Sequence, residues 1–435
     1  MKIYPISLGC AKNKVDSEVL LGNLINNPDI SLTDDFMAAD LIFINTCAFI
    51  ESAKQEAIDT IFEVLDSKTP KQKVMVCGCL STRYQSEISS LIPEVDRFVA
   101  INEYPKLKEI VNSLFISHPF TGQVDPLNRV ITSMKESVYL KISEGCNNRC
   151  SYCAIPLIRG RFVSRSREEI LLEAQKLIGA GAKELNLISQ DTTNYGFDLY
   201  QDYGIVELLA DLCQINGDFK IRLLYLYPEL VTDKLISFIA NNAKVMPYFD
   251  IPLQHSEDKM LKSMNRRGDK KFIKELIGKI RQNIPDAILR TTMIVGFPGE
   301  EEGDFNNLIA FIKEMKFDRL GAFSYSAEEG TTGYLMENQI PEDVKASRLE
   351  AIYLAQDEIA LRQNESHLNT VMDVLITEYD SESYCYLGRS YAFAPDDIDG
   401  YVVCYATEEL QIGDVVKVKI LDASINSLSG QVIFE

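Results

Sequence analysis

Ser143-Glu-Gly-Cys146-Asn-Asn-Arg-Cys150-Ser-Tyr-Cys153 spaces three cysteines as C-x3-C-x2-C. The preceding run, Val138-Tyr-Leu-Lys-Ile142, alternates apolar and other side chains and reads as a strand, so the cysteines sit on a loop at its carboxyl end. A structural zinc site takes four closed ligands, often as two C-x2-C pairs. No partner pair follows within the next forty residues. A three-ligand iron–sulfur site fits better, because three thiolates on a 4Fe-4S cube leave one iron free to bind something else. A buried or zinc-binding loop is the plain alternative, and the strand-then-loop setting weighs against it.

Downstream, the spacing predicts strands near residues 139–142, 185–189, 221–225, 248–253, 288–295 and 319–323. They alternate with helices near 167–178, 205–215, 232–241, 270–284 and 301–315. Six β-α units imply an open, six-stranded relative of the full TIM barrel, with its site at the carboxyl ends of the strands. Gln190, Asp191, Gln254, His255 and the turn Gly296-Phe-Pro-Gly299-Glu300 fall at those ends, where polar residues are also common turn formers. His255 reads first as a hydrogen-bonded structural histidine and second as a proton donor. Arg222 and Arg290, early in their strands, are expected to neutralise acidic neighbours. The basic group Arg159-Gly-Arg161, Arg165 and Arg167 has two accounts: contact with an anionic substrate group or cofactor carboxylate, or an ion pair with Glu168 or Glu169 at a helix start.

Upstream, strands are predicted at 3–8, 41–45, 74–77 and 98–101, with helices at 15–26, 52–66 and 84–91. This alternation argues an open, mostly parallel α/β sheet. Ligands on such sheets bind beyond the carboxyl ends of the strands, and Cys10, Cys47 and Cys79 each lie just past one. Three thiolates far apart in sequence can therefore converge on one cluster, with Gly9 and Gly78 letting the backbone turn closely around it, as Gly145 does before Cys146. Cys77 lies inside an apolar strand and is assigned to packing, as are Cys213, Cys385 and Cys404, which lack ligand spacing.

A proline- and glycine-containing stretch, 118–134, reads as a linker. After the barrel, an amphipathic helix over 341–364 leads to short strands at 371–376, 401–406, 415–420 and 431–434, a small antiparallel β-barrel. Residues 367–435 hold twelve acidic and three basic side chains (Arg389, Lys417, Lys419), a net of −9. A nucleic-acid-binding module should carry a basic face, and this one carries Asp396-Asp397-Ile-Asp399. The whole chain of 435 residues has a net charge of −20, which repels phosphate backbones and favours a basic partner, with plain solubility as the other account. The length suggests two to four domains. The absence of an apolar run of about eighteen residues, an opening that reads as a strand, and ten clustered cysteines suggest a cytosolic, metal-binding protein with no membrane segment.

The C-x3-C-x2-C spacing resembles the signature of the radical S-adenosylmethionine enzymes. Ser7-Leu-Gly-Cys10-Ala-Lys-Asn-Lys-Val-Asp-Ser-Glu18, Asn45-Thr-Cys47-Ala-Phe-Ile50 and Cys77-Gly-Cys79-Leu80 with Arg83-Tyr84 resemble the amino-terminal domain of the methylthiotransferases within that group. Ala11 stands where the family more often has proline, a change that removes a backbone restriction and no ligand. The final segment is similar to the TRAM module that ends these enzymes. The resemblance implies an amino-terminal domain over 1–117, a linker over 118–134, a radical SAM core over 135–364 and a TRAM domain over 365–435.

It further implies two 4Fe-4S clusters, one on Cys146, Cys150 and Cys153 and an auxiliary one on Cys10, Cys47 and Cys79. S-adenosyl-L-methionine would lie with Tyr152 and Gly296 near its adenine, Gln190 near its methionine moiety and Gln254 near its ribose. No catalytic residue is assigned. In such enzymes one cofactor molecule methylates a sulfur held at the auxiliary cluster, and a second is cleaved to a radical that takes hydrogen from the target carbon. Leu224-Tyr-Leu-Tyr-Pro228, Val-Asp-Ser-Glu18 and the acidic tail resemble the branch that modifies the β-carbon of an aspartate in ribosomal protein S12. An electron donor and a sulfur source are then required, and a monomer is expected. The alternatives are a transfer-RNA adenosine methylthiotransferase and a non-enzymatic iron–sulfur electron carrier or scaffold.

Overall fold

The computed structural model describes residues 1–115, 124–396 and 398–434. Residues 116–123, including part of the expected linker, and Asp397 of the acidic run lie outside the described residues.

The first domain is built from β1 (Lys2–Ser7), α1 (Ala11–Ile25), β2 (Ser31–Leu32), β3 (Leu41–Thr46), α2 (Glu51–Ser67), β4 (Lys73–Gly78), α3 (Cys79–Leu91), β5 (Arg97–Val99) and α4 (Leu107–Leu114). The strands form one parallel sheet in the order β2-β1-β3-β4-β5. Strands covered on both faces should be apolar throughout, and β3 is buried along its whole length. Ile42, Ile44, Val74 and Val76 pack with Ala57 and Ile61 of α2 and Leu80 of α3 on one face. Leu41, Phe43, Met75 and Cys77 pack with Leu21 and Leu24 of α1 and Leu107 of α4 on the other. Sequence periodicity starts α1 and α3 too late. They begin at Ala11 and Cys79, because Lys12, Asn13 and Asp16 are polar yet buried and α3 is kinked at Tyr84, which breaks the apolar repeat. β2, two residues long, is too short to be predicted, and α4, with Leu107, Ile110 and Val111 buried, was missed although its apolar residues fall at helical spacing.

The central domain runs β6 (Ser137–Lys141), β7 (Ser143–Glu144), α5 (Ile155–Arg159), β8 (Val163–Ser164), α6 (Arg167–Gly179), β9 (Glu184–Ile188), α7 (Ile205–Cys213), β10 (Lys220–Leu223), α8 (Asp233–Ala240), β11 (Tyr248–Asp250), α9 (Asp258–Ser263), α10 (Lys270–Asn283), β12 (Ile288–Val295), α11 (Glu302–Met315), β13 (Arg319–Ser324) and α12 (Glu342–Glu365). Its six long-order strands form two parallel three-stranded sheets, β6-β9-β10 and β11-β12-β13, joined by one bridge between Ile221 and Val245. β11 ends at Asp250, before the expected 253, because Pro252 has no N–H for the ladder. Alternation sends Leu140, Leu185, Leu187, Leu223, Phe249 and Met293 outward beneath the helices, while Tyr139, Arg222, Tyr248 and Arg290 fall on the opposite, luminal face.

The last domain contains β14 (Val371–Asp380), β15 (Cys385–Arg389), β16 (Tyr401–Tyr405), β17 (Val415–Ala423) and β18 (Ser427–Ile433), closed in the order β14-β15-β16-β18-β17. The barrel is antiparallel except for the parallel pair β16-β18, and β15, with Gly388 inside it, was not predicted from the sequence. The described residues of 390–399 plug the lower mouth of the central barrel. Phe393 is fully buried there with the Arg319 guanidinium 4.4 Å from its ring centre. Arg222 donates to the Tyr391 carbonyl at 2.9 Å, and Glu184 bonds both Arg222 and Arg389. Arg290 pairs with Asp250 at 2.8 Å and Asp399 at 3.0 Å. Arg222 and Arg290 thus neutralise carboxylates, as expected. The acidic run, however, is not a free negative face. Asp396 accepts from the Tyr139 hydroxyl at 2.5 Å, and Asp399 from Tyr248. These partners sit at or near the amino ends of the strands, so the carboxyl ends are left for the site.

The first domain lies across the lateral gap between the edge strands β6 and β13. On one side Asp16 of α1 pairs with Lys141 of β6, and Glu18 with Arg129 at 2.6 Å. On the other side Arg83 of α3 pairs with Glu328 at 2.6 Å and Lys54 of α2 with Glu328 at 3.4 Å.

Candidate active site

Cys10 is the N-cap of α1 and Cys79 the first residue of α3, while Cys47 follows the end of β3. Gly9 has φ +91°, and a Cβ there would lie 2.8 Å from that of Cys47, so only glycine permits this approach. The Cys79 sulfur is 3.6 Å from Asn13 Oδ1 and 3.9 Å from Arg159 Nη2. Burial pushes the Cys79 thiol up to about 12 against the opposing pull of Arg159, and Cys47 is likewise raised, first by burial. Such thiols stay protonated until a metal takes the proton's place.

The second trio lies between β7 and α5. Gly145 has φ +76°, and a side chain there would strike the Arg161 carbonyl, while Cys146 N–H donates to the Gly160 carbonyl at 3.2 Å. The Cys150 sulfur is 3.7 Å from the Tyr227 hydroxyl and 3.9 Å from Arg266 Nη1. Burial pushes Cys153 up to about 12, and neighbouring Cys150 adds to the shift. Among the described residues no three His, Cys, Asp or Glu side chains converge as they would on a single ion. The donors in both trios are sulfur alone, which suits an iron–sulfur cluster, a larger and softer group than one ion.

Around these loops, Gln190 Nε2 donates to Glu144 at 2.8 Å, and its Oε1 is buried without a partner among the described residues. Asp191 accepts from Asn148 at 2.7 Å. Gln254 is held at φ +74°, with its N–H on the Thr292 carbonyl at 2.8 Å. Gly296 N–H donates to Glu300 at 2.9 Å, and a Cβ there would strike Lys345. Tyr152 packs with Met260, Phe297 and Tyr325. Three of the four clustered arginines are engaged by side chains of this chain, and Arg161 is exposed. Arg159 bonds Asp16 at 3.0 Å, Glu144 at 2.9 Å and Asn13 at 2.5 Å. Arg165 pairs with Glu173 and Arg167 with Asp211, each at 2.6 Å. The alternative pairs with Glu168 or Glu169 do not form, because Glu173 and Asp211 hold Arg165 and Arg167 instead.

Sequence reasoning missed Lys12, Tyr227, Glu229 and Arg266. Burial lowers Lys12 to about 8, against the pull of Cys10, and its ammonium lies 2.9 Å from the Tyr225 ring centre. Both Glu229 oxygens are buried without a hydrogen bond among the described residues. Arg266 lies 4.0 Å from the Tyr227 ring centre. Each is a polar side chain beside a strand end, a signal too common to single out.

Residues 2–100 match a family described as Uncharacterized protein family UPF0004, residues 140–312 the Radical SAM superfamily and residues 370–433 the TRAM domain. The chain is 45% identical to the ribosomal protein uS12 methylthiotransferase RimO of Acetivibrio thermocellus, over 100% of this chain and 99% of that one. The chain belongs to the RimO family. The RimO protein of Aquifex aeolicus is also 45% identical, over 99% of this chain and 97% of its own. Two solved structures share the fold. The radical S-adenosylmethionine methyltransferase TsrM from Kitasatospora setae, with cobalamin and a 4Fe-4S cluster bound, has a TM-score of 0.56 at 11% identity, covering 74% of this chain and 72% of that one. The cobalamin-dependent radical enzyme OxsB has a TM-score of 0.52 at 12% identity, covering 81% and 56%.

In this RimO chain His255 is fully buried. Its Nδ1 accepts from the Glu257 N–H at 3.0 Å, which leaves the proton of the neutral ring on Nε2. Nε2 is 3.7 Å from Glu300, too far to bond. Burial lowers the histidine to about 3, so it is neutral at pH 7 and holds the turn. A folded value below the unfolded 6.5 stabilises the fold above that pH, and the contribution is lost as pH falls from 6.5 toward 3. The full effect is about 4–5 kcal/mol. His255→Asn is expected to flatten the fall in urea-denaturation midpoint between about pH 7 and 5.

Proposed function

We propose that this protein is a cytoplasmic methylthiotransferase that places a methylthio group on the β-carbon of an aspartate of ribosomal protein S12, drawing on an outside electron donor and sulfur source. The observation that carries the reading is the full-length relationship to RimO proteins, and the geometry is consistent with it. Cys146, Cys150 and Cys153 would hold one 4Fe-4S cluster, and Cys10, Cys47 and Cys79 a second. S-adenosylmethionine would lie against Tyr152, Gln190, Gln254 and Gly296. When bound, these groups supply a carbon radical that removes hydrogen and the methylthio group that replaces it.

Arg159 links the loops that carry the two trios. Arg159 reaches Cys79 at 3.9 Å with one nitrogen and Glu144, two residues before Cys146, at 2.9 Å with the other. The plug formed by the described residues of 390–399 closes the barrel at the amino end, and the first domain covers its side, which would exclude water that quenches a radical. Among the described residues no helix is long and apolar enough to cross a membrane.

Mass spectrometry of ribosomal protein S12 from cells lacking this chain tests the reading. The expected result is an unmodified aspartate. An unchanged mark on S12, with a methylthio group lost from transfer RNA, overturns it in favour of the nucleic-acid substrate.

A further inference from the structure

The proposed target brings a carboxylate into a closed interior, and a buried carboxylate needs a positive partner. The cations around that interior are nearly all engaged. Lys141 and Arg159 share Asp16 and Glu144, Arg222 holds Glu184, and Arg290 holds Asp250 and Asp399. Arg266 leans on Cys150 and Tyr227 and donates to the Pro252 carbonyl at 2.5 Å, which places it beside the second cysteine trio.

Lys12 is different. It is only 6% exposed, yet among the described residues its ammonium has no carboxylate in ion-pair contact and donates no hydrogen bond. Its neighbour is the face of Tyr225. That tyrosine sits at φ +63°, a conformation costly for an aromatic residue and sustained only where the surroundings enforce it. Here the Tyr225 N–H donates to Asp250 at 2.9 Å, and Asp250 is itself held by Arg290. The site is therefore a rigid cation on an aromatic platform, two residues from Cys10 and at the carboxyl end of β10.

We propose that Lys12 binds the side-chain carboxylate of the target aspartate and so fixes how its β-carbon is presented. This inference rests on the substrate reading above. It makes Lys12 the residue that distinguishes aspartate from its amide, because asparagine offers no charge to pair and leaves a buried ammonium uncompensated. The competing role is neutralisation of charge at the Cys10, Cys47 and Cys79 site.

The test is a binding cycle with the full-length, cluster-loaded protein and two peptides from the modified loop of S12, one with aspartate and one with asparagine at the target. Fluorescence anisotropy should show the aspartate peptide bound at least about tenfold more tightly by the unaltered protein, with that preference lost in Lys12→Met and partly kept in Lys12→Arg. Equal binding of the two peptides by the unaltered protein overturns the inference without recourse to any variant. So does a Lys12→Met protein that weakens both peptides alike, the pattern expected of a cluster-neutralising lysine. Failure of the unaltered protein to bind either peptide overturns the substrate reading, and this inference with it.

Discussion

Cys150→Ala is expected to abolish reductive cleavage of S-adenosylmethionine and to cut the iron of the reconstituted protein from about eight to about four per chain. Cys79→Ala should cut the iron by the same amount, leave cleavage to deoxyadenosine intact and abolish methylthiolation. The split follows from the chain's layout. Cys150 is on the loop leaving β7, beside Tyr227 and Arg266, whereas Cys79 opens α3 of the other domain beside Asn13 and Arg159. Each proposed cluster would have three thiolate ligands, so losing one removes a third of its protein ligands. Iron analysis and chromatographic measurement of deoxyadenosine check both halves. If Cys79→Ala keeps about eight irons, the auxiliary site is not there. If it loses cleavage as well, the two sites do not act separately.

The sheet domain and the partial barrel were legible because their strands are covered on both faces or alternate cleanly, so apolar runs mark them. Gly9, Gly78 and Gly145, each at positive φ directly before a cysteine, mark where the chain turns into the cysteine-bearing loops. What escaped was the role of polar residues between domains. Asp16 and Glu18, part of the stretch that carries the family resemblance, are taken up between domains. They bind Lys141, Arg159 and Arg129 and seat α1 on the barrel. The Asp396–Asp399 run looked like a displayed charge, and its described members are instead hydrogen-bonded to Tyr139 and Tyr248 beneath the barrel. A charge pattern in one dimension does not report its partner when that partner is hundreds of residues away. The strain at Tyr225 and Gln254 was invisible for a related reason: side-chain identity says little about φ unless the residue is glycine or proline.

Arg159→Met is expected to destabilise the junction of the first two domains by about 3–5 kcal/mol, a large fraction of the roughly 5–15 kcal/mol typical of a folded domain. Its guanidinium is almost fully buried and serves Asp16, Glu144, Asn13 and the Cys79 sulfur together. Removal leaves two carboxylates to share Lys141 alone. Lysine should rescue poorly, because one ammonium cannot reproduce a planar fork that bonds through both terminal nitrogens. Asp16→Asn in the same chain should recover part of the loss, since the pair is coupled. The effect has a pH signature. Burial alone would raise Glu144, but Lys141 and then Arg159 outweigh it and hold the carboxylate far below its ordinary value of 4.5. A depressed carboxylate contributes stability above that ordinary value and loses it as pH falls through and below it. The gap between Arg159→Met and the unaltered protein should therefore be widest near neutral pH and narrow below about 4.5. Urea-denaturation midpoints on the cluster-free protein at the two pH values decide the matter, and a gap that is constant with pH would assign the loss to packing of the arginine stem rather than to its charge.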